Sequence, residues 1–191
     1  NATYIAVATT EGVSLINADS NTIIDFDVNA NDDITAVFLA NDGALYYATK
    51  ESQNLNVFLN AHQQTQDNTK ANGYSADYVY NENSSPAIFE SPANINDLEV
   101  VNDQLFIATD AGLSVLTPSA GQLGKGQSVK YYGQDYITDS VSSLAINRDA
   151  DIAYLGTAGG GVSAVNLEAD SLENLWAQGA GLTDDDGDNW T

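Results

Sequence analysis

The side chains in this sequence that could do chemistry are almost all carboxylates. Asp and Glu together number 27 against five Lys and Arg, which gives a formal net charge of -22. With no Cys and one histidine, His62, the sequence has no thiol nucleophile, no thiolate zinc site and no histidine pair for a metal or a Ser-His relay. The catalytic option left is a pair of carboxylates acting as general acid and base on a glycan, and sequence spacing fixes no such pair.

Two sets of aspartates are candidate ligands for a cation. One set stands at the start of apolar runs, and the other is an alternating acidic string near the C-terminus. They are Asp33, Asp97 and Asp139, and Asp184, Asp186 and Asp188. Hard oxygen ligands favour calcium over zinc, and carboxylates that converge need a cation or raised pKa values. We therefore expect calcium here, and the alternative is that these side chains end strands or a tail and face water.

The charge also limits the partners. A net charge of -22 repels phosphate backbones and anionic lipid surfaces, which argues against nucleic acid and against membrane binding. No apolar run approaches the roughly 18 residues that span a bilayer. The ten Tyr and two Trp offer contact surface for a protein, a peptide or a neutral glycan. The acidic, Lys-poor composition favours an extracellular, periplasmic or cell-surface location.

The elements that position these residues form a fourfold repeat. In each unit a short apolar run ends in a threonine and is followed by a second apolar run, with one unit about every 48 residues. The threonines are Thr9, Thr49, Thr109 and Thr157. A third run precedes this pair in three of the units, and a fourth run, often aromatic, follows it in all four. Such units predict four-stranded antiparallel sheets.

The first unit lacks the leading run, and the C-terminal segment 181–191 falls where that run belongs. We therefore predict one all-β domain over 1–191, a small propeller of four four-stranded antiparallel blades with adjacent termini. The predicted blades span 1–30, 31–92, 93–134 and 135–180, and 181–191 closes onto the first blade. The alternative is a fragment of a larger propeller.

The fourth unit carries a family resemblance. The stretch 139–157 and the glycines that follow it resemble the propeller repeats in sensor regions of two-component regulators, which pass through an Asp-rich turn, an aromatic-x-Gly-Thr strand and a Gly-Gly turn. The other units depart from that pattern, since Ala precedes Thr9, Thr49 and Thr109. The resemblance implies propeller architecture and recognition outside the cytoplasm. The architecture is also similar to hemopexin-type propellers, which hold cations where the innermost strands begin, and this implies a site near Asp33, Asp97 and Asp139.

Together these observations predict a non-catalytic extracytoplasmic binding or interaction module for a protein, peptide or glycan. Two alternatives stay open. One is a structural subunit of an adhesin or filament that self-assembles through its edge strands. The other is a carbohydrate-active enzyme that uses paired carboxylates. His62 lies in the long polar connection 60–76 and is expected to be an exposed polar residue.

Overall fold

A computed structural model describes residues 2–26, 33–68, 75–84, 87–89, 93–117, 128–132, 140–147, 152–158, 161–167 and, for the backbone, 171–177. These residues form strands and one short 3₁₀ turn at Ala61–Gln63. Over these ranges no helix is long and apolar enough to cross a membrane.

The strands follow one another along the chain. In order they are β1 (Tyr4–Ala8), β2 (Val13–Asn17), β3 (Thr22–Phe26), β4 (Ile34–Leu39), β5 (Leu45–Thr49), β6 (Leu55–Phe58), β7 (Tyr78–Tyr80), β8 (Ile95–Val101), β9 (Gln104–Thr109), β10 (Gly112–Thr117), β11 (Ser128–Tyr132), β12 (Val141–Asn147), β13 (Ile152–Thr157), β14 (Gly161–Asn166) and β15 (Ser171–Ala177).

Within the described residues these strands form four antiparallel sheets, each with its strands in chain order. The first sheet contains β1 to β3, the second β4 to β7, the third β8 to β11 and the fourth β12 to β15. The prediction of an all-β chain with four-stranded antiparallel units is confirmed, as is the missing leading strand of the first unit. The predicted blade limits and the closure by 181–191 stay predictions, since 181–191 lies outside the described residues.

Each leading strand begins with a β-bulge at the same place. The pairing with the second strand shifts between Ile34 and Ala36 in the second sheet, and the same shift recurs at Ile95/Asp97 and Val141/Ser143. A bulge bends the strand and re-aims the extra side chain. Because of the three bulges, the side chains of residues 35, 96 and 142 do not follow the regular alternation between the two faces of the sheet.

The repeated threonines close the hairpins between the second and third strands. The Thr9 hydroxyl donates to the Gly12 carbonyl and the Thr109 hydroxyl to the Gly112 carbonyl, both at 3.0 Å. The hydroxyl of Thr109 also accepts the Ala111 N–H at 3.1 Å. The threonine hydroxyl thus gives a partner to the N–H of Ala111, which lies in the turn between the two strands.

The core lies between successive sheets. Among the described residues it forms three apolar clusters, one at each contact of neighbouring sheets. Phe26 of the first sheet packs edge-on against Phe58 of the second, with ring centroids 4.8 Å apart. The sheets thus stack face to face in chain order.

The long connection after β6 packs against the first sheet. The Tyr4 hydroxyl donates to the His62 carbonyl at 3.2 Å, and the two rings meet edge-on. The His62 Nδ1 lies 3.3 Å from the Gly43 carbonyl oxygen. His62 is therefore half-buried and not exposed as expected, because Gly43 has no side chain and a Cβ there would lie 1.8 Å from that nitrogen.

Candidate functional site

The candidate site is the end of the molecule where the leading strands begin. β4 contacts β8, and β8 contacts β12. The residues at the starts of these strands meet those of the hairpins that follow the second strands. We call this set the rim. Its members are Asp33, Glu51, Gln53, Asn94, Asn96, Asp110 and Ser140.

Asp110 is the centre of the rim. Its carboxylate accepts hydrogen bonds from Asn94 Nδ2 at 2.8 Å, from Asn96 Nδ2 at 3.0 Å and from the Ser140 hydroxyl at 2.9 Å. The pairing of Ile95 with Thr109 places residues 94 and 96 beside 110. One carboxylate therefore joins the third sheet to the fourth.

These hydrogen bonds set the acidity of Asp110. Partial burial raises the pKa of its carboxyl, but the hydrogen bonds from Asn96, Ser140 and Asn94 outweigh it and hold the pKa below the ordinary value of 3.8. Asp110 is therefore a stably ionised hydrogen-bond acceptor. A general acid would instead need a raised pKa.

The network extends across three sheets. Gln53 Nε2 donates to Asn94 Oδ1 at 3.5 Å, which links the second sheet to the third. Asn96, at the bulge, donates to the Val141 carbonyl at 2.8 Å, which links the third to the fourth. The rim is thus a continuous band of amide, hydroxyl and carboxylate groups.

Asp33 occupies the position in the second sheet that Asn94 holds in the third. Its carbonyl accepts the Lys50 N–H at 3.0 Å, as the Asn94 carbonyl accepts the Asp110 N–H at 3.1 Å. The Asp33 N–H in turn donates to Glu51 Oε2 at 3.0 Å. The backbone of Asp33 is therefore fixed by the hairpin that follows β5.

Asp97 bridges the two leading strands β8 and β12. Its Oδ1 accepts the N–H of Leu98 at 2.9 Å, and its Oδ2 accepts the N–H of Leu144 at 3.0 Å. Two residues further on, Glu99 Oε2 accepts the N–H of Ile146 at 3.0 Å. Because β12 is the first strand of its sheet, these N–H groups point away from β13 and would otherwise lack a partner.

The cation ligands predicted from the sequence are only partly described. In the described ranges no group of three or more His, Asp or Glu side chains is placed to hold a metal ion. Asp33 stands at the rim, and Asp97 uses both its oxygens for backbone N–H groups. The other predicted ligands, Asp139, Asp184, Asp186 and Asp188, lie outside the described residues. Calcium binding stays a prediction.

A crevice lies next to the rim, between the third sheet and the segment before it. It is lined by Phe89, Thr109 and Tyr131, among others, and has a volume of about 10 Å³. The Tyr131 hydroxyl donates to the Ala87 carbonyl beside it. This volume holds about one water molecule, whereas ligand pockets measure about 300–1,000 Å³. This crevice is therefore too small for a large ligand.

Sequence reasoning missed Asn94, Glu99, Asp110 and Ser140. Asp110 stands 14 residues from Asn96 in the sequence, and only the antiparallel register brings them together. The position of Asp110 in the repeat could have identified it. Asp110 directly follows a repeated threonine, and that place adjoins the start of the leading strand in every complete unit.

Solved structures share the overall fold of this chain. The extracellular domain of the hybrid two-component system BT3049 from B. thetaiotaomicron superposes with a TM-score of 0.61 at 16% identity, over 90% of this chain and 23% of that one. The extracellular domain of BT4673 from the same organism gives 0.62 at 18% identity, over 92% and 21%. The β-propeller domain of Swd1 from Myceliophteria thermophila gives 0.58 at 10% identity, over 88% and 50%. The chain has the β-propeller fold.

Each sheet is accordingly one blade, and the resemblance to sensor propellers of two-component systems is confirmed at the level of fold. Both predicted forms fit, a four-bladed propeller and a part of a larger one. The chain spans less than a quarter of the length of the two bacterial structures. No protein-family model and no curated protein matches the sequence.

Proposed function

We propose that this chain is a non-catalytic binding module that works outside the cytoplasm and recognises a protein, peptide or neutral glycan. The observation that carries the proposal is the likeness of almost the whole chain to extracellular domains of two-component systems. The proposed location follows from the same likeness and from the acidic composition.

The contacts made by the carboxylates of β8 and of the rim support binding over catalysis. Asp97 and Glu99 accept backbone N–H groups, and Asp110 accepts two amides and a hydroxyl while its pKa is held low. Carboxylates used in this way hold strands together. A glycosidase needs one carboxyl with a raised pKa facing a second across the scissile bond. Hydrolysis of a polysaccharide by this chain would overturn the non-catalytic assignment.

The rim is the binding surface we favour, since it combines the exposed carboxylates of Glu51 and Asp110 with half-buried amide groups on a rigid scaffold. Its negative charge favours cationic or neutral ligands and makes association with cationic ones sensitive to salt. Titration calorimetry with panels of cationic peptides and neutral glycans tests this directly. We expect at least one class to bind, with the affinity for cationic peptides falling as salt rises.

A matched pair of variants locates the surface. Glu51→Gln removes an exposed charge at the rim, and Asp42→Asn removes an exposed charge in the turn between β4 and β5, at the other end of the same sheet. We expect the first change to weaken binding of a cationic peptide several-fold and the second to leave it nearly unchanged. Equal effects would overturn the assignment to the rim. Failure of both panels to bind would overturn the proposed function.

A second candidate function is a structural subunit of an adhesin or filament. It is favoured by the exposed side chains of Ile5 and Val7 on β1, which among the described residues is an edge strand of the first sheet. Unpaired edges invite pairing with another chain. Growth of open-ended fibres in concentrated samples, seen by electron microscopy, would favour this function over the first.

We also propose that calcium binds at the leading-strand aspartates or the C-terminal aspartates. A bound ion at 100 times its dissociation constant stabilises the fold by roughly 2.7 kcal/mol. The melting temperature is compared in millimolar Ca²⁺ and in EDTA, both in about 0.5 M NaCl, which screens the general repulsion. A higher value in Ca²⁺ is expected. Equal values would mean that these residues serve the surface and the scaffold.

A further inference from the structure

The first sheet leaves an apolar face uncovered. On β1, Ile5 is 48% exposed and Val7 is 41% exposed, and on β3, Ile23 is 57% exposed. The register places Ile5, Ile16 and Ile23 opposite one another across the three strands, so they lie on the same face. Val7, two residues after Ile5, shares this face.

The same positions are buried in every other sheet. Counting back from the repeated threonines, Ile5 corresponds to Leu45, Leu105 and Ala153, and Val7 corresponds to Tyr47, Ile107 and Leu155. All six of these side chains have an exposed fraction of 1% or less. The residue types are apolar in all four sheets, so the difference does not come from the sequence pattern.

The cause is the neighbouring sheet. Leu45 and Tyr47 pack against Val13, Leu15 and other residues of the first sheet. Leu105 and Ile107 pack in the same way against the second sheet, and Ala153 and Leu155 against the third. Each sheet thus covers this face of the next one. For the first sheet, the described residues supply no preceding sheet.

The fourth sheet offers a face of the complementary kind. Its residues Tyr154, Val162 and Ala164 correspond in register to Phe106, Leu113 and Val115, which pack against the next sheet in the stack. Tyr154 and Val162 are half-buried, whereas Phe106 and Leu113 are each 1% exposed. We call the uncovered face of the first sheet, with Ile5, Val7 and Ile23, the receiving face. We call the face of the fourth sheet with Tyr154, Val162 and Ala164 the covering face. These two faces lie at opposite ends of the stack of sheets.

The fourth sheet of the same chain does not cover the receiving face. β12, β13 and β14 are described with their side chains, and Ile5, Val7 and Ile23 are still exposed in their presence. The described residues leave this face open, and in the other three sheets it is covered by an apolar sheet face of this repeat. A second copy of this chain carries that face.

We propose that the uncovered face of the first sheet, formed by Ile5, Val7, Ile16 and Ile23, binds the fourth sheet of a second copy. The contact joins two different surfaces, so after one contact the pair retains one free end of each kind. Two such contacts related by a twofold axis close a ring of two four-bladed units. A ring of eight blades lies within the range of about four to eight that propellers use. This inference rests on burial and register and is independent of the proposed ligand-binding function.

The net charge opposes this association, and the dependence of the dimer on salt therefore provides a test of it. Each copy carries a formal charge of -22, and the register places Asp25 of β3 beside Ser14 and Val7 on this face, which adds a further negative charge. Because salt screens repulsion between copies and leaves apolar contact intact, the dimer is expected to strengthen as NaCl rises. A contact held by surface ion pairs would weaken instead.

The test is light scattering coupled to size exclusion, with the protein concentration and NaCl varied. The chain has a mass of 20.2 kDa, so the expected dimer has twice that mass. Val7→Asp places a charge in the contact and should raise the dimer dissociation constant at least about tenfold. Val79→Asp is the matched control, since Val79 is 47% exposed on β7, away from the face. Ile23→Asp is a second test variant if Val7→Asp alters the circular dichroism spectrum.

Each outcome either supports or overturns the proposed dimer. A dimer that strengthens with salt and is lost in Val7→Asp or Ile23→Asp but kept in Val79→Asp supports the proposal. A monomer at all concentrations overturns it, as does a dimer that neither face variant weakens. Open chains longer than a dimer would overturn the closed ring.

Discussion

The first and third sheets carry the same pattern of residues and differ in what surrounds them. Ile5 of the first sheet is 48% exposed, while Leu105 at the same position of the third is 1% exposed. The third sheet has a leading strand, β8, and a preceding sheet, and the first has neither among the described residues. The comparison teaches that the position of a sheet in the stack, and not the type of residue, decides which apolar side chains form the core.

The leading strand also accounts for the polar contacts between sheets. β8 brings Asp97 and Glu99 to the free edge of β12, and its bulge brings Asn96 to Asp110. The corresponding positions of β4 are the apolar residues Ala36 and Phe38. Both boundaries of the third sheet contain an apolar cluster, and the boundary with the fourth sheet adds charge-assisted hydrogen bonds between the leading strands.

The largest expected effect comes from truncating an isoleucine on each of the two sheets. Ile107→Ala leaves a cavity at a fully buried position and should lower the free energy of unfolding by about 2–5 kcal/mol. Ile5→Ala, on the uncovered face, should change it by less than about 0.5 kcal/mol in the dilute monomer. Urea denaturation at low protein concentration measures both. Equal losses would mean that the face of the first sheet is covered within one chain.

An intermediate effect is expected at the polar boundary. Asp97→Ala leaves the N–H groups of Leu98 and Leu144 without their acceptor and should cost about 1–3 kcal/mol of unfolding free energy. Asp33→Ala is the control, because in the described contacts Asp33 bonds through its backbone. In EDTA this control should change stability by less than about 0.5 kcal/mol. A larger loss for Asp33→Ala than for Asp97→Ala would reverse the roles assigned to these two aspartates.

The smallest effect concerns Asp110 and depends on pH. The folded pKa of Asp110 is lowered, so its contribution to stability is present above the ordinary carboxyl pKa of 3.8 and is lost as the pH falls through the lowered value. Because the group is largely exposed, we expect Asp110→Asn to cost no more than about 1 kcal/mol near pH 6. The difference from the parent chain should shrink towards about pH 3. A difference that grows on acidification would contradict this assignment.

Much of the fold could be predicted from the residues. Alternating apolar runs and turn pairs such as Asn102-Asp103, which adopt φ values of 50° and 61°, mark strands and hairpins by local chemistry. The repeated threonines align the four units with one another, since each hydroxyl closes the same hairpin. They are Thr9, Thr49, Thr109 and Thr157. These features are local, and a local pattern can be read without knowing its neighbours.

The site could be predicted only in outline. The sequence indicated that aspartates gather where the leading strands begin, and it named Asp33 and Asp97. It did not indicate Asp110 as the centre, because that role depends on the register between β8 and β9 and on the approach of Ser140 from another sheet. It indicated Asp97 as a cation ligand and gave no sign that the two oxygens of this residue accept the N–H groups of Leu98 and Leu144.

The sequence by itself determined the strands, the turns, the fourfold repeat and the absence of a leading strand in the first unit. These depend on backbone preferences and on the period of apolar residues, which act over a few neighbours. The tertiary structure decided which of the equivalent apolar positions are buried and which carboxylates serve the scaffold. Burial and hydrogen bonding between sheets depend on groups 30 or more residues apart, such as Asp110 and Ser140, and the sequence does not show how far apart in space these groups lie.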